Sequence, residues 1–282
     1  MIEFKEYLSK KKALIEDYIR KILSNYISPS EVLQKAIKYS FITGGKRFRP
    51  ILCLATAEAV GGKEKIILPC ACAIEFIHNY SLIHDDLPCM DNDDYRRGYL
   101  TCHRKFNEAI ALLTGDGLLT LAFEILTHSA SSSHINTMTL LRVIEEIASA
   151  AGIRGMVGGQ ALDLSSPQET VEGIEYLHKM KTGSLICVSV RTGALLSEAS
   201  QEEVTMLTSY AEKLGIAFQI MDDVLDKEED EKINSFLLVY TPEEAKKKVC
   251  EITELAVKYL EPLGKRAERL RQIAWYLCER SY

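Results

Sequence analysis

Two acidic clusters carry the chemistry that this sequence could perform. The first is His84-Asp85-Asp86-Leu87-Pro88-Cys89-Met90-Asp91-Asn92-Asp93-Asp94, five aspartates within ten residues, followed at once by Arg96 and Arg97. The second is Phe218-Gln219-Ile220-Met221-Asp222-Asp223-Val224-Leu225-Asp226. Gln219, Asp222, Asp223 and Asp226 stand at i, i+3, i+4 and i+7, so a helix would carry all four on one face. Like charges crowded in this way repel and call for a counter-cation. Carboxylate oxygens suit a hard ion such as Mg²⁺, which is commonly held by one or two carboxylates together with substrate phosphate. The plain alternative for the first cluster is a solvated acidic turn broken by Pro88. For the second, a bias of acids toward a helix N-terminus does not apply, because the helical pattern already runs from Ser200.

Two such carboxylate walls suggest Mg²⁺ ions, three in all, bridging to a diphosphate. The ions would neutralise the leaving group and draw it off as an anion, leaving a carbocation. A cation with a hydrocarbon tail requires an apolar, helix-lined pocket beneath. Cationic residues complete the pattern: the glycine turn Gly44-Gly45-Lys46-Arg47-Phe48-Arg49-Pro50, the pair Arg96-Arg97, and the polar break Lys179, Lys181, Thr182, Gly183. Cations beside a metal site can bind the diphosphate of a second substrate.

The elements that must position these groups read as helices. Ser28-Pro29-Ser30-Glu31, Ser166-Pro167-Gln168-Glu169, Thr241-Pro242-Glu243-Glu244 and Ser200-Gln201-Glu202-Glu203 each pair a cap hydroxyl with an acid in the first turn. Leu207, Tyr210, Ala211, Leu214, Ala217 and Phe218 step by three and four. Breaks are expected at Thr43-Gly44-Gly45, Gly61-Gly62, 129–136, 152–159 and 227–234. Strand-like alternation is scarce. The expected fold is therefore all-α: one domain over 1–282, about ten helices, with the apolar stretches 68–83 and 112–126 as central helices of a bundle. Lys+Arg number 34 against 40 Asp+Glu, a net charge of −6, which disfavours wrapping nucleic acid. The eight cysteines form no CxxC pair and read as reduced, small core residues. No segment reads as a membrane span of roughly 18 uncharged residues. The first residues carry no apolar signal region, so the expected location is cytoplasmic.

The motifs also occur in a familiar order. Gly44-Gly45-Lys46-Arg47-x-Arg49-Pro50 is followed by Ser81-Leu82-Ile83-His84-Asp85-Asp86 through Asp91, Arg96-Arg97-Gly98 and Thr114-Gly115-Asp116. Then come Gly158-Gly159-Gln160-Ala161-x-Asp163, Lys181-Thr182-Gly183 and Phe218-Gln219-x-x-Asp222-Asp223-x-x-Asp226. From about residue 40 to 226 the chain resembles the trans-prenyltransferase (polyprenyl synthetase) family, in its bacterial short-chain form. The resemblance implies an isoprenoid-synthase-like bundle of mostly antiparallel helices around a deep central cavity, usually a homodimer. It implies Mg²⁺-dependent condensation of isopentenyl diphosphate with an allylic diphosphate, to a farnesyl (C15) product or, alternatively, a geranylgeranyl (C20) one. By the same resemblance Lys46, Arg49 and His78, with Arg97 beside them, bind isopentenyl diphosphate. Asp85 and Asp91, with Asp86, hold Mg²⁺; Arg96 meets the allylic diphosphate. Lys181, Thr182 and Gln219 line the allylic site and stabilise the cation. Asp222, with Asp223 and Asp226, holds the third Mg²⁺, and the departing pyrophosphate takes the final proton.

Two points concern spacing. Asp85 and Asp91 are six residues apart, about 600° around a helix at roughly 100° per residue, so they would not share a face. Pro88 and a local bulge are expected to re-aim Asp91. Tyr80 lies five residues before Asp85, about 7.5 Å down a helix. By the resemblance, a bulky aromatic there matches the floor that stops elongation at C15, with the small Ser81 beside it. The pattern departs from the family after Asp226. There the expected glycine-lysine loop is replaced by the shorter Lys227-Glu228-Glu229-Asp230-Glu231-Lys232, whose Lys227 or Lys232 would have to substitute. A terpene cyclase, which usually carries an Asn/Ser/Glu-type second motif, would leave Lys46, Arg49 and His78 unexplained. A non-catalytic partner subunit would have lost metal carboxylates, and none is missing.

Overall fold

Helix starts in this chain are set by side chains that satisfy first-turn N–H groups, and the computed structural model shows which ones do so. It describes residues 2–42, 44–132, 135–165, 167–168, 170–225 and 234–278. The order is α1 (Ile2–Asn25), α2 (Glu31–Ile42), α3 (Phe48–Ala59), α4 (Glu64–Asp85), a two-stranded hairpin of β1 (Tyr95–Arg96) and β2 (Tyr99–Leu100), α5 (Cys102–Lys105), α6 (Glu108–Ser132), α7 (Thr137–Ala151), α8 (Met156–Ser165) and α9 (Val171–His178). A π-helical turn (Lys179–Gly183) joins α9 to α10 (Ser184–Leu196). Then follow α11 (Gln201–Leu225), a 3₁₀ turn (Phe236–Leu238), α12 (Pro242–Tyr259), a 3₁₀ segment (Glu261–Ala267) and α13 (Glu268–Cys278). The all-α expectation holds.

The caps at Ser200 and Thr241 form as expected. Ser200 Oγ accepts from Glu203 N at 3.1 Å while Glu203 accepts from Ser200 N at 3.0 Å, and Thr241 and Glu244 do the same. Two other boxes are displaced. At α2 the cap is Ser30, not Ser28: Ser28 Oγ accepts from Ser30 N, so the first hydroxyl shapes the turn before the helix. At α9 the cap is Thr170, whose hydroxyl accepts from Gly173 N at 3.1 Å; Ser166 and Glu169 lie outside the described residues. The expected break at 152–159 is confined to the turn before Met156. Lys179 to Gly183 is no break at all but a π turn inside a continuous helical path.

The cysteine reading also needs correction. Cys53, Cys70, Cys72 and Cys102 are buried, but Cys89 and Cys250 are exposed. Likewise α4 and residues 108–130 of α6 are each long and apolar enough to cross a membrane by length and composition. In α4 the apolar character serves burial, 72% of the window lying inside the protein; for α6 the share is 39%.

Contacts divide the chain into two units, Met1–Ile51 with Leu68–Asn136, and Leu52–Ile67 with Thr137–Tyr282. The first is built on Ile15, Ile74, Phe76, Ile77, Leu118 and Leu126, all fully buried, with the Phe41 ring 4.7 Å from that of Phe76. In the second, Ile174, Ala217, Ile220, Met221, Val224, Phe236, Val249 and Ile252 form one cluster beneath the end of α11. Each large apolar side chain so buried contributes roughly 1.5–3 kcal/mol of transfer free energy.

Candidate active site

In the first unit, α4 stops at Asp85 and the chain turns back. Met90 N donates to Leu87 O at 2.8 Å, and Asp91 N donates to Asp85 O at 2.8 Å. The re-aiming expected from Pro88 is thus a complete reversal rather than a bulge within a helix. It brings the backbones of Asp85 and Asp91 together, with Asp85 half-buried and Asp91 exposed. Asp86 takes a different path. Its carboxylate is 4% exposed and accepts from Arg96 Nε at 2.6 Å, with Arg96 Nη2 at 2.5 Å. Burial pushes the Asp86 carboxyl above its ordinary range, against the lowering contact of Arg96. Arg96 also reaches Asp93 at 3.2 Å, so this guanidinium is a brace for the acidic turn.

The end of α4 is held from the side by α6. His84 Nε2 donates to Leu112 O at 3.0 Å. A Cβ on Gly115 would come within 2.0 Å of the His84 ring, which is why Thr114-Gly115-Asp116 carries glycine there. Tyr80, one turn earlier, is 5% exposed, its ring edge-on to His84 at 5.7 Å. Burial raises its hydroxyl pKa to about 12. Ser81 is half-buried and donates to His78 O at 2.9 Å.

The same unit gathers the cations. Burial comes first in holding the His78 imidazole well below its ordinary range. The fields of Arg49, Arg97, Arg96 and Arg47 reinforce it, so His78 is neutral at pH 7. Lys46 is exposed and Arg49 buried. Arg47 faces inward: it is 2% exposed, pairs with Glu75 at 3.1 Å and donates to Phe41 O at 3.0 Å. Arg97 donates to Gly44 O and so ties the β1–β2 turn to the glycine turn. Glu75 was invisible to motif reading, because one acid inside an apolar helix carries no pattern of its own.

In the second unit, the π turn presents Lys181 and Thr182, both half-buried. Lys181 Nζ lies 2.5 Å from Asp163 Oδ2. Thr182 Oγ1 donates to Gln219 Oε1 at 2.9 Å, and Gln219 Nε2 donates to Asp223 Oδ1 at 2.9 Å. Asp223 is 5% exposed and accepts further bonds from Ser235 Oγ at 3.1 Å and Phe236 N at 2.8 Å. Asp222 is half-buried on the same helix, whereas Asp226, Lys227 and Lys232 lie outside the described residues. A Cβ on Gly159 would come within 2.3 Å of Lys181 N, so that glycine lets α8 approach the π turn.

Among the described residues, no three acidic, histidine or cysteine side chains converge as a ready cage for metal. Asp86 and Asp223 are engaged by protein donors. Of the aspartates expected to ligate, Asp85, Asp86, Asp91, Asp222 and Asp223 lie at the ends of α4 and α11 or in the turn that follows α4, and Asp226 lies outside the described residues. One or two carboxylates per ion, with the rest from substrate oxygens, is the donor set Mg²⁺ accepts.

The Polyprenyl synthetase family model matches residues 30–235. The chain belongs to the polyprenyl synthetase family. A farnesyl diphosphate synthase of Geobacillus stearothermophilus is 46% identical over 235 residues, 82% of this chain and 78% of that one. A geranylgeranyl diphosphate synthase of Cyanophora paradoxa is 43% identical over 223 residues, 78% of this chain and 73% of the relative. The crystal structure of an FPP/GFPP synthase from Zymomonas mobilis matches with a TM-score of 0.90 at 37% identity, covering 98% of this chain and 99% of that chain. The protein is accordingly a short-chain trans-prenyltransferase of all-α fold.

Proposed function

We propose that this synthase joins isopentenyl diphosphate to dimethylallyl and geranyl diphosphate and releases farnesyl diphosphate. The observation that carries the reading is the cationic cluster around neutral His78, which stands apart in sequence from the acid-lined end of α11. One diphosphate would need only one of these; two diphosphate substrates need both. Lys46, Arg49, His78 and Arg97 bind isopentenyl diphosphate, with the neutral imidazole as a hydrogen-bond partner rather than a charge. Arg47, closed off by Glu75, sets the shape of that turn.

Asp85 and Asp91 of the first unit and Asp222 of the second are the residues that would hold Mg²⁺, with Asp86, Asp223 and Asp226 completing the two motifs. When bound, Mg²⁺ neutralises the departing diphosphate. Arg96, braced by Asp86 and Asp93, orients the allylic diphosphate. Thr182 and Gln219 aim oxygen atoms toward the developing allylic cation, and Lys181 holds the leaving anion. Tyr80 closes the pocket below Asp85, which favours a C15 product. The likeness to geranylgeranyl diphosphate synthases supports C20 as the second reading.

The reading requires the two units to act as one domain and places the reaction in the cytoplasm. A homodimer is part of it. Leu112 and Leu113 of α6 are 48% and 50% exposed, an apolar face suited to a second copy. The deciding experiment gives the purified chain Mg²⁺, dimethylallyl diphosphate and isopentenyl diphosphate, and identifies products by mass. A C15 diphosphate formed only with Mg²⁺ is expected. A C20 product moves the floor deeper than Tyr80, and no product from folded protein overturns the reading.

A further inference from the structure

Five side-chain contacts in the second unit close into a ring. Lys181 Nζ meets Asp163 Oδ2 at 2.5 Å, and Asn234 Nδ2 donates to Asp163 Oδ1 at 2.8 Å. Asn234 is bonded to Ser235, whose hydroxyl donates to Asp223 Oδ2 at 3.1 Å. Gln219 Nε2 donates to Asp223 Oδ1 at 2.9 Å, Thr182 Oγ1 donates to Gln219 Oε1 at 2.9 Å, and Thr182 is bonded to Lys181. The ring therefore passes through all three residues assigned to the allylic site, Lys181, Thr182 and Gln219. Among the described residues it closes through Asn234 and Ser235, which belong to no motif.

We propose that Asn234 and Ser235 are positioning residues of the condensation: they fix Asp163 and Asp223, which in turn aim Lys181, Gln219 and Thr182. The inference rests on the proposed function. Three features argue against an incidental contact. Asn234 and Ser235 are 2% and 5% exposed, and a polar network so buried is stable only when each member is satisfied. Asn234 is held on every side: Gln168 N donates to its Oδ1 at 2.5 Å and His178 Nε2 donates to its backbone O at 2.8 Å. Its φ of 70° is a left-handed conformation that asparagine tolerates better than most residues. Finally, the ring is anchored on a π turn, a helical irregularity frequent at functional sites.

The mechanical consequence is specific. Without the Asn234 amide, Asp163 keeps Lys181 but loses the bond on its other oxygen, and the pair can swing together. Without the Ser235 hydroxyl, Asp223 keeps Phe236 N and Gln219 but loses one of its three donors. A shift of about 1 Å in groups that face a reacting centre can cost about 10²-fold in rate. Binding of isopentenyl diphosphate uses Lys46, Arg49, His78 and Arg97, none of which belongs to the ring.

The test is steady-state kinetics on the full chain with Mg²⁺ and both substrates. Asn234→Gly preserves the left-handed backbone and removes the amide; Ser235→Ala removes the hydroxyl, and Ser235→Thr restores it. We expect kcat to fall about tenfold or more in the first two, KM for isopentenyl diphosphate to stay within about twofold, and Ser235→Thr to recover most of the rate. Asn234→Gly introduced into Lys181→Gln should cost no further rate, since coupled residues are not additive. Unchanged kcat in folded variants, a loss confined to KM, failure of threonine to rescue, or additive losses would each overturn the ring. If Asn234→Gly does not fold, the two Ser235 variants decide. An inactive unaltered chain would refute the function itself, and the ring's role with it; an active one with indifferent variants refutes the ring alone.

Discussion

In the proposed function, product length turns on one side chain, Tyr80. It is buried, lies five residues before Asp85, and packs edge-on against His84. Tyr80→Ala should open the space below Asp85 and shift the product toward C20 or longer, read by mass after hydrolysis; an unchanged distribution assigns the floor to another residue. His78 makes a different prediction at the same scale. Its folded pKa lies well below its ordinary value, so the unfolded chain binds the proton more readily. Its contribution to stability is full above the unfolded pKa of about 6.5 and is lost as pH falls through that value, with a slope of at most about 1.4 kcal/mol per pH unit. His178, also lowered by burial, adds in the same direction. Urea midpoints should therefore drop between pH 7.5 and 5.5, and His78→Asn should drop less; equal slopes would remove His78 from the account.

At the scale of elements, two helix approaches depend on the lack of a side chain. Gly115 admits the His84 ring and Gly159 admits the backbone of Lys181. Gly159→Ala must push the π turn away and should cost about 1–3 kcal/mol of stability together with activity; a calorimetric midpoint equal to that of the unaltered chain would contradict this. Sequence and structure agree most closely where the pattern is periodic and local. The face of Gln219, Asp222 and Asp223, the α11 and α12 caps and the all-α class were legible in that way. Reading fell short where one residue has two possible partners. Ser28 and Ser30 both offer a cap hydroxyl, and only the turn geometry selects Ser30. The reversal after Asp85 depends on the backbone bond from Asp91 to Asp85, which no spacing rule contains. The donors that Asp86 takes from Arg96, and Asp223 from Ser235 and Phe236, lie outside the acidic motifs and could not be read from them. Glu75, Asp163, Asn234 and Ser235 take their meaning from partners 12 to 71 residues away.

For the whole molecule, the proposed homodimer is tested at the exposed leucines of α6. Leu113→Arg should yield a smaller species in size-exclusion chromatography with light scattering than the unaltered chain, with its helix content intact; identical masses would place the partner surface elsewhere. Charge is also a property of the whole. The protein carries −6, yet around His78 it concentrates Arg47, Arg49, Arg96 and Arg97. An incoming polyanion is thus repelled by the molecule at a distance and drawn in by the cluster nearby. At physiological ionic strength the screening length is about 8 Å, so distant repulsion fades before the attraction of partly buried arginines does. Added salt should first speed capture and only later slow it. If the proposed diphosphate site lies there, the acidic exterior would act as a filter on encounter rate, and the substrate's journey, not only its fit, would be written into where the four arginines sit.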